Sequence, residues 1–138
     1  MTVVVSVPRP ELARDLEPLP SGVEVIVWPM DAAAPRDRID LVVPPYMAIE
    51  RALPRLAGVP TRLVQGQSIG YEGVAELLPP GVVFANAATV HEASTAELAV
   101  GLTLAAQRHL DAFAVDTRAG RWAPRFAPSL ADRRVLLL

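Results

Sequence analysis

The stretch Ser94-Thr95-Ala96-Glu97-Leu98-Ala99-Val100-Gly101-Leu102-Thr103-Leu104-Ala105-Ala106 decides how the rest of this chain has to fold. Ser94 has the side-chain oxygen of a helix N-cap, and Glu97, three residues later, completes a capping box. We therefore predict a long helix that begins at Ser94, continues through Leu110 and stops at Gly120. Because its leucines and valine occupy more than one face, this helix needs packing partners on both sides.

Five short apolar runs precede the helix, and connectors of helical length separate them. Continuously apolar, β-branched runs of this kind are typical of a parallel sheet that is covered on both faces. We predict an α/β domain with parallel strands at residues 2–7, 23–28, 40–43, 62–65 and 82–86. Short helices are predicted at residues 11–16, 47–56 and 74–78, with Pro54 distorting the last turn of the second one.

The carboxyl ends of the strands are where open parallel sheets bind ligands. Two loops therefore stand out, residues 66–73 after the fourth strand and residues 87–93 after the fifth. Beyond the long helix, residues 133–138 form an apolar run that predicts a further strand, with no helix after it to cover it. An exposed apolar strand edge is unfavourable, so this part of the chain also lacks a packing partner.

Composition excludes several classes of function. The chain has 138 residues and a formal charge of −2, and its 13 basic residues are all arginines, scattered among acids, so there is no basic stripe for nucleic acid. The absence of cysteine excludes disulfides and thiolate chemistry, and His91 and His109 are too few for a metal site. The longest apolar run is about half of the ~20 residues that a membrane span needs. Without a signal-like N-terminus, we expect a cytoplasmic protein.

Four motifs occur in a fixed order: Ser68-Ile69-Gly70-Tyr71-Glu72, Ser94-Thr95-Ala96-Glu97-Leu98-Ala99, Arg118-Ala119-Gly120-Arg121-Trp122 and Asp132-Arg133-Arg134-Val135-Leu136-Leu137. In order and spacing they resemble the NAD-dependent D-isomer-specific 2-hydroxyacid dehydrogenases. The resemblance covers essentially the whole chain but only the N-terminal part of that family's architecture. In the family, the last strand leads into a Gly-x-Gly-x-x-Gly phosphate loop. This sequence has no such motif, since Gly66, Gly70 and Gly73 are spaced differently.

The resemblance implies two regions. Residues 1–93 would be a flavodoxin-like substrate-binding domain with a five-stranded parallel sheet. Residues 94–138 would be a crossover helix, a dimer arm and the first strand of an incomplete, truncated Rossmann domain. It also implies a small 2-hydroxy or 2-oxo acid as substrate, NAD or NADP as cofactor, and a homodimer formed through residues 98–138.

The resemblance further assigns candidate site residues. Ile69 and Gly70 match loop positions whose backbone amides hold the substrate carboxylate, and adjacent amides beside a glycine can form an anion-binding nest. His91 stands where many relatives carry a substrate-contacting Asn, and Thr95 matches a position near the nicotinamide. The family's catalytic Arg, carboxylate and His match nothing in this chain. We therefore predict no catalytic residue and no turnover by these residues alone.

Non-catalytic alternatives remain open at this point. A flavodoxin-like sheet can bind flavin or act as a receiver domain. However, flavin needs a Ser/Thr-rich loop where this chain has Pro8-Arg9-Pro10, and a receiver needs an acidic cluster at the strand ends, which the sequence lacks. A third possibility is an oligomerisation module built on the long apolar helix.

Overall fold

The structure, a computed structural model, describes residues 2–136. The chain divides into two compact units, one ending at His91 and the other beginning at Glu92. The first unit contains a parallel β-sheet and its short helices. The second contains two helices and an irregular tail.

The sheet of the first unit has five strands, β1 (Val3–Val7), β2 (Val23–Val27), β3 (Leu41–Val42), β4 (Leu63–Gln65) and β5 (Val83–Ala85). All neighbouring strands pair in parallel, in the order β2-β1-β3-β4-β5. This is the flavodoxin-like order of an α/β sheet. The predicted α/β fold with a five-stranded parallel sheet is therefore confirmed, and each strand lies within its predicted run.

Three short helical segments connect these strands: α1 (Pro10–Asp15), α2 (Ile49–Ala52) and α3 (Val74–Leu77). After α2 the chain tightens into a 3₁₀ turn, Leu53–Leu56. The predicted distortion by Pro54 is confirmed, because proline has no N–H to donate and its ring crowds the preceding turn of an α-helix. The tighter turn leaves both Leu53 and Leu56 fully buried.

The core of the first unit consists of apolar side chains from the sheet and from the segments packed against it. Members that are completely shielded from solvent include Ile39, Val42, Leu53, Leu56 and Val64. Each such side chain stabilises the fold by about 1.5–3 kcal/mol relative to an exposed position. Strand β3 is short, but Val42 lies at the centre of this core, so the sheet is anchored next to the loops that follow β3 and β4.

The second unit begins with α4 (Glu92–Gln107), which corrects the predicted N-terminus. Ser94 lies in the first turn and not at the N-cap, so the predicted capping box is wrong. Glu92 and Ala93 lengthen the helix at its start, since alanine and glutamate are good helix formers and an acidic group is favourable at a helix N-terminus.

The predicted uninterrupted helix is also wrong, because the chain breaks at His109 before α5 (Leu110–Arg118). His109 adopts a left-handed conformation with φ 53° and ψ 39°. Histidine is among the residues that tolerate this conformation better than β-branched residues do. The predicted stop at Gly120 is confirmed. Gly120 has φ 62°, and its amide and that of Arg121 donate back to the carbonyls of Thr117 and Asp116.

A buried carboxylate fixes the segment that follows α5. Asp116 is 3% exposed, and its Oδ1 accepts hydrogen bonds from Nε and Nη2 of Arg121 at 2.9 and 2.5 Å. Arg125 forms an ion pair with the other oxygen at 2.5 Å and lies over the ring of Phe113, 5.5 Å from its centroid. Hydrogen bonds from Arg121 and then Arg125 lower the pKa of Asp116 below its ordinary value, against the opposing effect of burial.

The predicted strand at residues 133–138 is not formed where the structure describes it. Residues 133–136 are irregular, and Leu137 and Leu138 lie outside the described residues. A strand needs a neighbour to pair its backbone N–H and C=O groups, and the described part of the second unit contains no other strand. None of the residues of α4 is buried.

Candidate functional site

A cleft of about 500 Å³ opens in the first unit beside the carboxyl ends of β3 and β4. One wall is residues 44–51, which follow β3. The other comes from the loop after β4 and the start of α3, namely Gln67, Ser68, Gly70, Glu72 and Val74. This is the edge of the sheet at which ligand binding was expected from the sequence.

Two prolines create the first wall. Pro44 and Pro45 follow β3 directly and have no backbone N–H, so the strand cannot continue in the sheet. The last ladder hydrogen bond on this side runs from the Val43 amide to Ser6 O, at 2.9 Å. The chain then leaves the sheet through Met47, which has φ 60°, and enters α2.

The second wall is held tightly where it leaves β4. The Gly66 amide donates to Ala85 O at 2.7 Å, and a Cβ at Gly66 would lie only 2.8 Å from Cζ of Phe84. Gln65 Nε2 donates to Gly66 O and to Asn86 O, at 2.9 and 3.0 Å. The loop therefore starts from a fixed position against β5.

Further hydrogen bonds orient the peptide groups of this loop. The Ala87 amide donates to Ser68 O at 2.9 Å, and Asn86 Nδ2 donates to Ile69 O at 2.8 Å. In a trans peptide the N–H points opposite to the C=O, so the amides of Ile69 and Gly70 point away from the β5 side. Within residues 2–136 neither amide donates a hydrogen bond to the protein.

Strand β4 lies between β3 and β5. The carbonyls of Ser68 and Ile69 are directed to Ala87 and Asn86, after β5, so the amides of Ile69 and Gly70 point away from those residues. Gly70 also lines the cleft. Adjacent backbone amides with a common direction are potential donors to an anion. The loop thus has two neighbouring amides without a protein acceptor among the described residues.

Three charged side chains line the cleft: Glu50, Arg51 and Glu72. Arg51 forms no ion pair with the described residues, and its guanidinium is available for a ligand. Glu72 is differently placed, since its Oε2 accepts a hydrogen bond from the Tyr71 amide at 3.0 Å. The lining therefore has two carboxylates and one guanidinium.

The residues selected from the sequence are distributed over both units. Gly70 lines the cleft, whereas Ile69 is not among the lining residues and its side chain is 49% exposed. His91 is exposed at the end of the first unit and is not among the residues that line the cleft. Thr95 is exposed in the first turn of α4, in the second unit. Their roles as substrate or cofactor ligands remain predictions.

The sequence-based selection missed Asn86 and Glu72. Asn86 had a usable signal, since it is a polar residue directly after the fifth strand, at the ligand-binding edge of the sheet. Glu72 belongs to a motif from which only Ile69 and Gly70 were selected. Nothing in the sequence pattern pointed to Gln67, whose Nε2 donates to Pro44 O at 2.7 Å across the cleft.

The described residues contain neither a metal-binding cluster nor a membrane-spanning helix. Between Thr2 and Leu136 no group of three His, Asp or Glu side chains is arranged to hold a metal ion. Over the same range, no helix has the length and apolarity required to cross a membrane.

Known proteins match this chain in structure but not in sequence-based comparisons. No family model matches the chain, and no curated protein matches it. The pyruvate reductase of Chlamydomonas reinhardtii is similar in structure, with 19% identity and a TM-score of 0.47 over 94% of this chain and 42% of that one. The phosphoglycerate dehydrogenase from Lactobacillus plantarum has 22% identity and a TM-score of 0.42, over 93% and 43%. This chain spans less than half the length of either protein.

Proposed function

We propose that this chain is the substrate-binding portion of an NAD(P)-dependent D-2-hydroxyacid dehydrogenase, an oxidoreductase acting on the CH–OH group of a small 2-hydroxy acid. One observation carries the proposal. The amides of Ile69 and Gly70 point away from Asn86 and Ala87 and donate no hydrogen bond among the described residues, and Gly70 lines the cleft. They belong to the motif that resembles the family's carboxylate-binding loop.

In this proposal the substrate's carboxylate accepts hydrogen bonds from the two amides. Hydrogen bonds to an ionised acceptor are about twice as strong as neutral ones, which suits a small ligand with few other contacts. Gly70 presents no side chain to the approaching anion. Arg51, on the opposite wall, adds a positive charge to the same cleft. His91 is proposed as a further donor to the substrate.

The proposed contribution of this chain to the nicotinamide site is small. The printed sequence has no Gly-x-Gly-x-x-Gly turn, and Thr95 is its one proposed contact near the nicotinamide. No catalytic Arg, carboxylate or His is assigned either. We therefore propose that turnover requires a nicotinamide site and catalytic groups that these residues do not supply.

We also propose a homodimer formed through residues 98–138. Its support is a set of exposed apolar side chains in that segment. Leu98, Leu102, Trp122 and Phe126 are 63%, 61%, 92% and 90% exposed. Apolar surface of this extent is typical of an interface. The same observation favours the alternative function, a non-catalytic oligomerisation module, in which the cleft would bind no 2-oxo acid.

An NMR titration separates the two functions. We expect pyruvate, a 2-oxo acid, to shift the amide resonances of Ile69 and Gly70 and to saturate in the millimolar range, at about 1–10 mM. Propionamide, which has no charge, is the ligand control. Gly70→Ala is expected to weaken binding, because the added side chain would face the approaching anion.

Gly101→Ala is the matched control variant, since a Cβ at Gly101 meets nothing within 4 Å and should leave pyruvate binding unchanged. If pyruvate and propionamide gave the same small shifts, or if the shifts were spread over α4, the proposed carboxylate site would be wrong. The oligomerisation module would then be the better description.

A further inference from the structure

The third amide of the loop already holds a carboxylate. Tyr71 follows Ile69 and Gly70, and its amide donates to Oε2 of Glu72 at 3.0 Å. The same oxygen lies 3.1 Å from the position that a Cβ on Gly70 would take. A carboxylate oxygen of the protein therefore lies close to Gly70, one of the two residues whose amides are left for a ligand.

We propose that Glu72 is an internal competitor of the ligand's carboxylate, and that it sets how tightly the cleft binds anions. This inference rests on the proposed function of the cleft and adds a specificity-determining residue to it. Glu72 occupies the amide of Tyr71, the next backbone donor after Ile69 and Gly70. In this proposal, a ligand carboxylate at Ile69 and Gly70 gains access to the Tyr71 amide only when the Glu72 side chain moves away.

Electrostatic repulsion between Glu72 and the ligand's carboxylate is the reason that Glu72 would weaken binding. Two carboxylates a few ångströms apart repel each other, and at a partly exposed site the repulsion is larger than in bulk water. Glu50 adds a second negative charge to the lining, which Arg51 offsets. Removing the charge of Glu72 would make the lining neutral and would free a donor for the ligand.

Glu72 is able to move. Its side chain is exposed, and its one hydrogen bond to the described residues is the local contact with the amide of the preceding residue. It forms no ion pair with the described residues. An exposed, local hydrogen bond opens at small cost, so the side chain can alternate between a position on the loop and a position in solvent.

The test compares Glu72→Gln with Glu76→Gln by pyruvate titration of the full 138-residue chain. Glu72→Gln keeps the size of the side chain but removes its charge, so pyruvate should bind about fivefold more tightly, the difference between a charged and a neutral competing hydrogen bond. Glu76 lies in α3, is exposed and does not line the cleft. Its substitution removes the same charge nearby and should change affinity by less than about twofold, as expected for a screened surface charge.

A second readout follows the Tyr71 amide directly. In the wild type, pyruvate should shift this resonance together with those of Ile69 and Gly70, because Glu72 leaves as the ligand enters. In Glu72→Ala the ligand-free chemical shift of the Tyr71 amide should differ from that of the wild type. The shift should still change on addition of pyruvate, because the Tyr71 amide then donates directly to the ligand.

Each outcome decides the matter. Equal affinity in the wild type, Glu72→Gln and Glu76→Gln would overturn the role of Glu72 and leave the proposed function standing. Loss of binding in Glu72→Gln alone would show that Glu72 shapes the loop and does not compete with the ligand. Absence of pyruvate binding in all three proteins would overturn the proposed function, and this inference with it.

Discussion

At the scale of single residues, two glycines with opposite surroundings give a matched pair of substitutions. Gly66→Ala places a methyl group 2.8 Å from the ring of Phe84, whereas Gly101→Ala adds one in open space on α4. We expect the first to destabilise the fold by about 1–3 kcal/mol through overpacking. The second should stabilise α4 by about 1 kcal/mol, since alanine is the better helix former.

Chemical denaturation of both variants measures this difference. A loss of stability in Gly101→Ala equal to that in Gly66→Ala would show that the close contact between Gly66 and Phe84 does not decide the result. Pyruvate binding by Gly66→Ala should also weaken, because Gly66 fixes the start of the loop that carries Ile69 and Gly70.

Asp116 gives a prediction on pH. Its pKa is lowered from 3.8 by Arg121 and Arg125, so its contribution to stability is fully present above the unfolded value and is lost as the pH falls through the folded one. The melting temperature of the wild type should therefore fall more steeply below about pH 4 than that of Asp116→Asn. Parallel pH profiles for the two proteins would contradict this role of the carboxylate.

At the scale of elements, the break between α4 and α5 depends on one strained residue. His109 has a positive φ of 53°, which costs a residue with a Cβ about 1–2 kcal/mol. His109→Gly should remove that cost. Because glycine loses more conformational entropy on folding, part of the gain is offset, and the free energy of unfolding should rise by about 0.5–1 kcal/mol.

Gly120→Ala is the opposing control, since Gly120 has φ 62° and ends α5. It should lower stability by about 1 kcal/mol. Thermal melts followed by circular dichroism test both. If His109→Gly were destabilised instead, the chain would run through residues 108–110 as one continuous helix, and the break between α4 and α5 would be contradicted.

Local pattern predicted the elements of the first unit well. The five apolar runs became the five strands, and Pro54 turned the end of α2 into a 3₁₀ turn. Both follow from interactions within a few residues of the chain. The start of α4 was misjudged because Ser94 fits an N-cap, while the helix-forming residues before it are equally compatible with an earlier start.

At the scale of the whole molecule, the exposed apolar side chains between residues 98 and 136 predict self-association. Light scattering of the purified chain should show a dimer. Leu98→Gln combined with Leu102→Gln should shift it towards the monomer, because the two leucines are 63% and 61% exposed on α4. Glu76→Gln, in the first unit, should leave the mass unchanged. A monomeric wild type at high protein concentration would refute the proposed dimer.

A separate prediction for the whole molecule concerns turnover. The purified chain should neither reduce pyruvate nor oxidise D-lactate with NAD or NADP, since hydride transfer requires a bound nicotinamide and a general acid/base. Absorbance at the wavelength of the reduced cofactor gives the measurement. Cofactor-dependent turnover by this chain would show that the catalytic groups lie within it.

The sequence by itself determined the class of fold, the positions of the strands, the end of α5 at Gly120 and the loop that carries Ile69 and Gly70. These depend on residue type and local spacing, which act over a few residues. The tertiary structure alone decided which way the amides of that loop point, because Asn86 and Ala87 hold the carbonyls of Ile69 and Ser68. It also placed Glu72 against the Tyr71 amide. Peptide orientation in a loop is set by neighbours distant in the chain, and no local pattern encodes it.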